Sequence, residues 1–281
     1  NLTINDYNLT LGDYLIKEKL SKEFIDYHII PMVAAIWSMP PYEASQMPLS
    51  FFLKFFQNHG LFKLKNRPQW YTVKNRSRTY VNKILNKISG EHYKNYKINL
   101  IKRHKENIEI FYGEKNEFFI YDKVVIATHA DEALSILEKP TDEEKNLLSN
   151  FKYKNNLAVI HTDKNQMPRN KKAWSAWNAK LSKNVRENSS ITYWLNLLQN
   201  LKIDEDIFLS LNPFDNIEEE KILNKVTFTH PYYDKLALEN QTRLKKIQNV
   251  NNTLFCGSYF GYGFHEDGIT SAIDMLKSFH D

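Results

Sequence analysis

Phe255-Cys256-Gly257-Ser258-Tyr259-Phe260-Gly261-Tyr262-Gly263-Phe264-His265-Glu266-Asp267-Gly268 is the segment whose residue types and spacing best suit chemistry. It carries four of the chain's eight glycines. It lies between a short apolar run, Leu254 to Cys256, and a helical pattern that begins near Asp267. Glycines at such a junction let the backbone approach a ligand closely, and a helix start offers unpaired N–H groups to an anion or an electron-rich oxygen. A tight packing loop is the competing account. The loop is no Walker A motif, because no Gly-Lys-Ser/Thr follows. Gly261-Tyr262-Gly263 begins like a dinucleotide fingerprint, but Glu266 stands where its last glycine belongs. His265 is a candidate acid/base group, while Glu266 and Asp267 suit the positive end of a helix. Adjacent side chains point in different directions, so His265, Glu266 and Asp267 make a poor metal site, and no metal is expected.

Arg67 and the pair Arg76 and Arg78 lie near a turn and a helix start, where guanidinium groups either fix a phosphate or carboxylate or serve as surface charge. Met32, Ile36, Trp37, Phe51, Phe52, Phe55 and Phe56 form a stripe that suits helical core packing or a greasy pocket. His28, His59, His129 and His161 are scattered. Cys256, the single cysteine, reads as a small buried hydrophobe and excludes an internal disulfide. No Gly-x-Ser-x-Gly elbow supports a serine hydrolase.

The elements that must position these residues come from 281 residues, 42% apolar, 25% charged and 14% aromatic. Such a composition is globular and excludes collagen-like, disulfide-scaffold and mostly disordered classes. The net charge of +5, from 38 basic and 33 acidic residues that are interleaved, points to no nucleic-acid partner. No run of about 20 apolar residues exists, so no transmembrane segment is expected. Without a secretory signal, the triplet Asn8-Leu9-Thr10 is a chance match, and a cytoplasmic location is expected.

The patterning predicts a helix over 9–29, a stop at Pro40-Pro41 and a helix over 49–58 closed by Gly60. It predicts a strand at Trp70 to Val73 and a helix at 80–88. Strands follow at 98–101, 108–112 and 117–120, the last two joined by a turn over Gly113 to Asn116. Val124 to Ala127 is continuously apolar and predicts a strand buried on both faces, followed by a helix through Leu137. Further strands are expected at 156–161, 191–195, 207–211 and 226–230, the last stopped by Pro231. Glu239 to Gln248 reads as helix, 254–257 as strand and 267–280 as the terminal helix.

With those residues set out, a resemblance emerges. The stretch Phe255 to Asp274 resembles the end of the flavin-containing amine oxidoreductase superfamily, most closely its bacterial branch of predicted NAD/FAD-binding oxidoreductases. Leu9 to Asp13, Pro31 to Pro40, Phe51 to Gly60, Arg67 to Tyr80, Val124 to Asp131, Trp174 to Trp177 and Thr192 to Trp194 continue the likeness in order. It implies an α/β chain with an α+β substrate part. A glutathione-reductase-like FAD-binding domain would be interleaved with an amine-oxidase-like substrate domain. Residues 1–60 would be the helical part of the substrate domain and 61–150 the middle segment of the FAD domain. Residues 151–245 would be the mixed-sheet part of the substrate domain and 246–281 the C-terminal FAD segment.

By the same resemblance, Ile98 would contact the adenine, and Ala127 and Thr128 would lie close to the dinucleotide. Gly257 and Ser258 would approach the pyrophosphate, and Gly263, Phe264, Asp267, Gly268 and Ser271 would pass beside the flavin ring. His265 and Tyr262 would be nearest the chemistry. Phe51, Phe55, Trp174, Trp177 and Trp194 would line an apolar path for a small, lipid-like substrate. Asn75 and Arg76 stand where the family often has paired glycines, which puts close approach at that turn in doubt. The family also begins with a strand, a GxGxxG turn and a helix, and this sequence has no such unit. The expectation is a truncated member whose missing unit comes from another segment or partner. The function implied is hydride transfer from a hydrophobic substrate to FAD, and the alternative is a non-catalytic scaffold that has lost its cofactor.

Overall fold

The computed structural model describes residues 7–115, 117–182 and 189–279. The chain divides into two compact units, one of residues 1–90 and 154–230 and the other of 91–153 and 231–281. These divisions fall at 90/91, 153/154 and 230/231.

In the first unit, Thr10 caps the helix Leu11–Lys17 by accepting from the Asp13 N–H at 3.1 Å. The single helix expected over 9–29 breaks at Lys19, whose φ is 53°, and Ser21 caps a new start at Lys22–Phe24. That start widens into an i→i+5 turn at Ile25–Ile29 and continues as Ile30–Trp37. Pro31 has no N–H to donate, and the wide turn before it lets the helix pass through instead of stopping. Pro41 starts a helix, Pro41–Gln46, rather than only ending one, because the first helical position needs no N–H. Leu49–Asn58 buries Phe51, Phe52, Phe55 and Phe56, with Trp37 at 4.7 Å from the Phe55 ring. Residues 70–73 form no strand: Trp70 and Tyr71 are exposed and pair with no neighbouring strand. The helix Arg78–Leu85 follows.

The first unit also holds a five-stranded sheet ordered Trp177–Leu181, Ser189–Trp194, Phe208–Leu211, Lys152–His161 and Ile222–Tyr232. Trp177–Leu181 was not foreseen, and the last strand runs through Pro231 rather than stopping there. A polar line crosses the core of the sheet. The Asp163 N–H donates to His161 Nδ1 at 3.1 Å, so Nε2 carries the proton and donates to Ser210 Oγ at 2.8 Å. Ser210 Oγ in turn meets Thr192 Oγ1 at 2.7 Å. Burial holds the His161 pKa below its ordinary value, against the opposing pull of Asp163. With Nε2 donating, this histidine takes no proton from the serine, and the pair is a structural polar core.

In the second unit, Ile98–Arg103, Ile108–Tyr112 and Glu117–Tyr121 form the expected antiparallel meander. Asn116 of its turn lies outside the described residues. Val124–Ile126 pairs in parallel with Thr253–Phe255. Val124 and Ile126 are buried, but Val125 is 40% exposed. The expectation of burial on both faces therefore fails at Val125, although its partner Leu254 on the same face is fully buried under Ala272, Met275 and Phe279. The helices Ala130–Ile136, Asp142–Leu148, Lys235–Gln241 and His265–Leu276 complete the unit. The end of the expected terminal helix, at His280, lies outside the described residues. Arg103 and Glu144 form a bidentate pair at 2.6 and 2.9 Å, their side chains 5% and 0% exposed. Among the described residues no helix is long and apolar enough to cross a membrane.

Candidate functional site

Two parallel strands end side by side in the second unit, and each runs into a helix. Val124–Ile126 leads through Ala127, Thr128 and His129 into Ala130–Ile136. Thr253–Phe255 leads through Cys256 and Gly257 into a 3-10 turn at Ser258–Phe260, and then into His265–Leu276. The Cys256 N–H donates to the Ile126 carbonyl at 3.1 Å and keeps the two ends together. In open parallel sheets, ligands bind outside such carboxyl ends, where helix starts present free N–H groups.

The loop glycines divide into two kinds. A Cβ on Gly257 would lie 2.7 Å from the Tyr259 ring, one on Gly261 would collide with the Asp267 carboxylate, and one on Gly263 would lie 2.9 Å from the Tyr233 hydroxyl. These three are glycine because the loop folds tightly on itself. Gly268, in the first turns of the last helix, has only the Ser258 N–H nearby, 4.0 Å from a Cβ. Its face is open, and packing does not require a glycine there. The packing account thus holds for 257, 261 and 263, and the open approach exists at Ser258 and Gly268.

Ser271 accepts from the Gly257 N–H at 2.9 Å and donates to the Gly268 carbonyl at 2.7 Å, which ties the loop to the helix. Asp267 accepts from the Phe264 N–H at 2.9 Å, and so closes the helix start. Gln241, which sequence reasoning passed over, donates to the carbonyls of Tyr259 and Gly261 at 2.8 and 2.6 Å and clamps the loop. Tyr153 also escaped notice. It stacks on His129 at 4.1 Å and accepts from the Ala130 N–H at 2.9 Å. His265 is exposed at the start of the helix and Tyr262 is half-buried in the loop. Ile98 lies apart from the parallel pair, on the first strand of the meander. Burial raises the Cys256 thiol above its ordinary range, as suits a packing residue. Among the described residues no group of three His, Cys, Asp or Glu side chains could hold a metal.

Asn75 and Arg76 both have positive φ, 62° and 70°. This is the left-handed backbone that glycine adopts at no steric cost.

In the first unit, Phe51 and Phe55 pack in the helical core around Trp37. Trp177 stands edge-on to Tyr193 at 5.3 Å. Trp174 and Trp194 meet at 5.3 Å with their planes 85° apart. None of the five lines the cavity of about 300 Å³ bounded by Ala34, Met39, Lys154, Asn156, Leu211 and Phe214. Lys154, at its edge, is paired with the buried Glu43.

No protein-family model and no curated protein matches this sequence. Solved structures do. The CLA-producing fatty acid isomerase from P. acnes superposes with a TM-score of 0.65 at 12% identity, over 99% of this chain and 68% of its own. Cyclohexylamine oxidase from Brevibacterium oxydans IH-35A gives 0.59 at 13%, over 100% and 70%. Putrescine oxidase bound to putrescine gives 0.65 at 10%, over 96% and 68%. The chain therefore has an amine-oxidase-like fold. It spans about two thirds of the length of these structures.

Proposed function

We propose that this chain is the larger part of an FAD-dependent oxidoreductase. The observation that carries the proposal is the pair of parallel strand ends, each feeding a helix start, in a chain of amine-oxidase-like fold. The open backbone at Ser258 and Gly268 suits an electron-rich cofactor edge, and the start of the 265–276 helix would stabilise negative charge there. Thr128 and Ser258 would sit near the phosphates, and the loop held by Gln241 and Ser271 would keep that backbone rigid. When bound, FAD would supply the acceptor for a hydride from the substrate. The chain's own part would be to orient, to exclude water and to hold charge, with Tyr262 and His265 nearest the reacting edge.

A hydrophobic small molecule is the proposed substrate, and the cavity lined in part by Ala34, Met39, Ile191, Leu211 and Phe214 supports it. A complete cradle needs a strand–glycine-turn–helix unit that these 281 residues do not contain. Exposed Val125, on the strand beside buried Leu254, is where we propose it packs, supplied by a further segment or a partner.

The test is a flavin fluorescence titration of the chain fused to such a unit. Stoichiometric FAD binding is expected. Gly268→Val is expected to weaken it at least about ten-fold with the thermal midpoint unchanged, since the added atoms enter open space. A folded fusion that binds no flavin would sink the proposal.

A further inference from the structure

Trp174 and Trp194 stand almost at right angles, and the Lys171 ammonium sits over both rings, 5.0 and 5.9 Å from their centroids. Asp206 closes the third side. Its Oδ1 accepts from Trp194 Nε1 at 3.0 Å, and its Oδ2 faces Lys171 Nζ at 3.4 Å and Lys164 Nζ at 3.2 Å. Two aromatic faces and a carboxylate around one point make a receptor for a cation, because ring quadrupoles and the carboxylate attract the same charge.

The walls are fixed before anything enters. Trp174 Nε1 donates to the Pro168 carbonyl at 2.7 Å, and its ring also meets Phe208 edge-on at 5.6 Å. Trp194 ends the strand Ser189–Trp194, opposite Phe208 in register. Asn196 accepts from the Ile207 N–H at 2.8 Å and donates to the Glu205 carbonyl at 2.8 Å, bracketing Asp206 on both sides.

The occupant is less committed than the walls. The Lys171 and Lys164 side chains are 65% and 63% exposed, against 9% for Asp206. Both lysines share one carboxylate oxygen, so Lys164 continues to neutralise Asp206 if Lys171 leaves. Burial by itself would raise the Asp206 carboxyl, yet the two ammonium partners outweigh it and keep it below its ordinary range, so Asp206 stays ionised at neutral pH.

We infer that Trp174, Trp194 and Asp206 form a binding site for a small alkylammonium ion, which Lys171 fills as an intramolecular stand-in. An ammonium on a short alkyl stem reproduces the contacts of Lys171: two ring faces for the charge and Asp206 Oδ2 as hydrogen-bond acceptor. The inference goes beyond the flavin reading. It uses no residue of the second unit and needs no cofactor, so either can fail without the other.

The test titrates n-butylammonium chloride into the purified chain and into Lys171→Ala, with sodium chloride at equal ionic strength as the control. Indole N–H resonances report the site, because Trp37, Trp70 and Trp177 lie outside it. Saturable shifts at Trp174 and Trp194 are expected, with affinity about ten-fold higher in Lys171→Ala than in the native chain. Adding Asp206→Asn to Lys171→Ala should remove most of that gain. No saturable shift in folded Lys171→Ala, or one confined to the other tryptophans, would overturn the inference. So would a Lys171→Ala chain that fails to fold, since Lys171 would then be a strut rather than a stand-in.

Discussion

Glu144 and Asp206 are both carboxylates taken almost wholly out of water, and both bind cations, but they are held differently. Glu144 meets Arg103, whose side chain is buried as deeply as its own, and it also accepts from the Thr141 N–H at 2.7 Å. Arg103 also donates to the Lys139 carbonyl at 2.7 Å and to the Thr253 hydroxyl at 3.5 Å. Neither partner can leave without stranding a charge in the core of the second unit. Asp206 meets two lysines whose stems lie in water. The difference teaches that burial of one charge shows little about function, and that the exposure of its partner decides whether a pair is a lock or an exchangeable contact.

The comparison is broken most directly at Glu144. Glu144→Ala leaves the Arg103 guanidinium buried and unpaired, and should cost about 3–5 kcal/mol of unfolding free energy by chemical denaturation. A loss below about 1 kcal/mol would show that water reaches this pair and would erase the contrast.

Asp206→Ala comes next. It strands the Trp194 N–H rather than a buried charge, and should cost about 1–3 kcal/mol. The pH dependence sharpens the point. The folded pKa of Asp206 lies below its ordinary value, so its contribution is fully present above the unfolded value of about 4 and is lost as pH falls through the folded one. Asp206→Asn should therefore flatten the acid limb of the stability curve. An unchanged limb would mean that its lysine partners hold nothing in the folded state.

The smallest effect belongs to the lysines. Lys171→Ala or Lys164→Ala alone should change stability by at most about 0.5 kcal/mol, because the other ammonium remains on the shared oxygen. The double substitution should exceed the sum of the two. Strict additivity in that cycle would show that the lysines do not substitute for one another.

Much of the candidate flavin site was legible in the residues. The glycine-rich loop, the strand before it and the helix after it are contiguous, and contiguous signals survive in sequence. The loop's glycines were less so, because Gly261 is set by Asp267 folding back, whereas Gly268 faces open space, and spacing does not separate the two. The cation corner was half legible. Trp174 and Trp194 stood out as aromatics, but Lys171 and Asp206 looked like ordinary charges, since nothing local says which loop a lysine will reach. The strand expected at Trp70 failed for a similar reason: aromatic content favours a strand only where a partner strand arrives to pair with it.

By itself the sequence determined the helix over 49–58, the meander between Ile98 and Tyr121 and the lack of an internal disulfide. These follow from local periodicity, backbone freedom and composition, which need no knowledge of distant residues. Only the tertiary structure decided that Val124–Ile126 lies beside Thr253–Phe255, that three loop glycines answer to packing and one does not, and that a lysine ammonium rests between two tryptophans. Those outcomes depend on which side chains meet after the chain has closed long loops, and that choice is made by the packing of the whole chain.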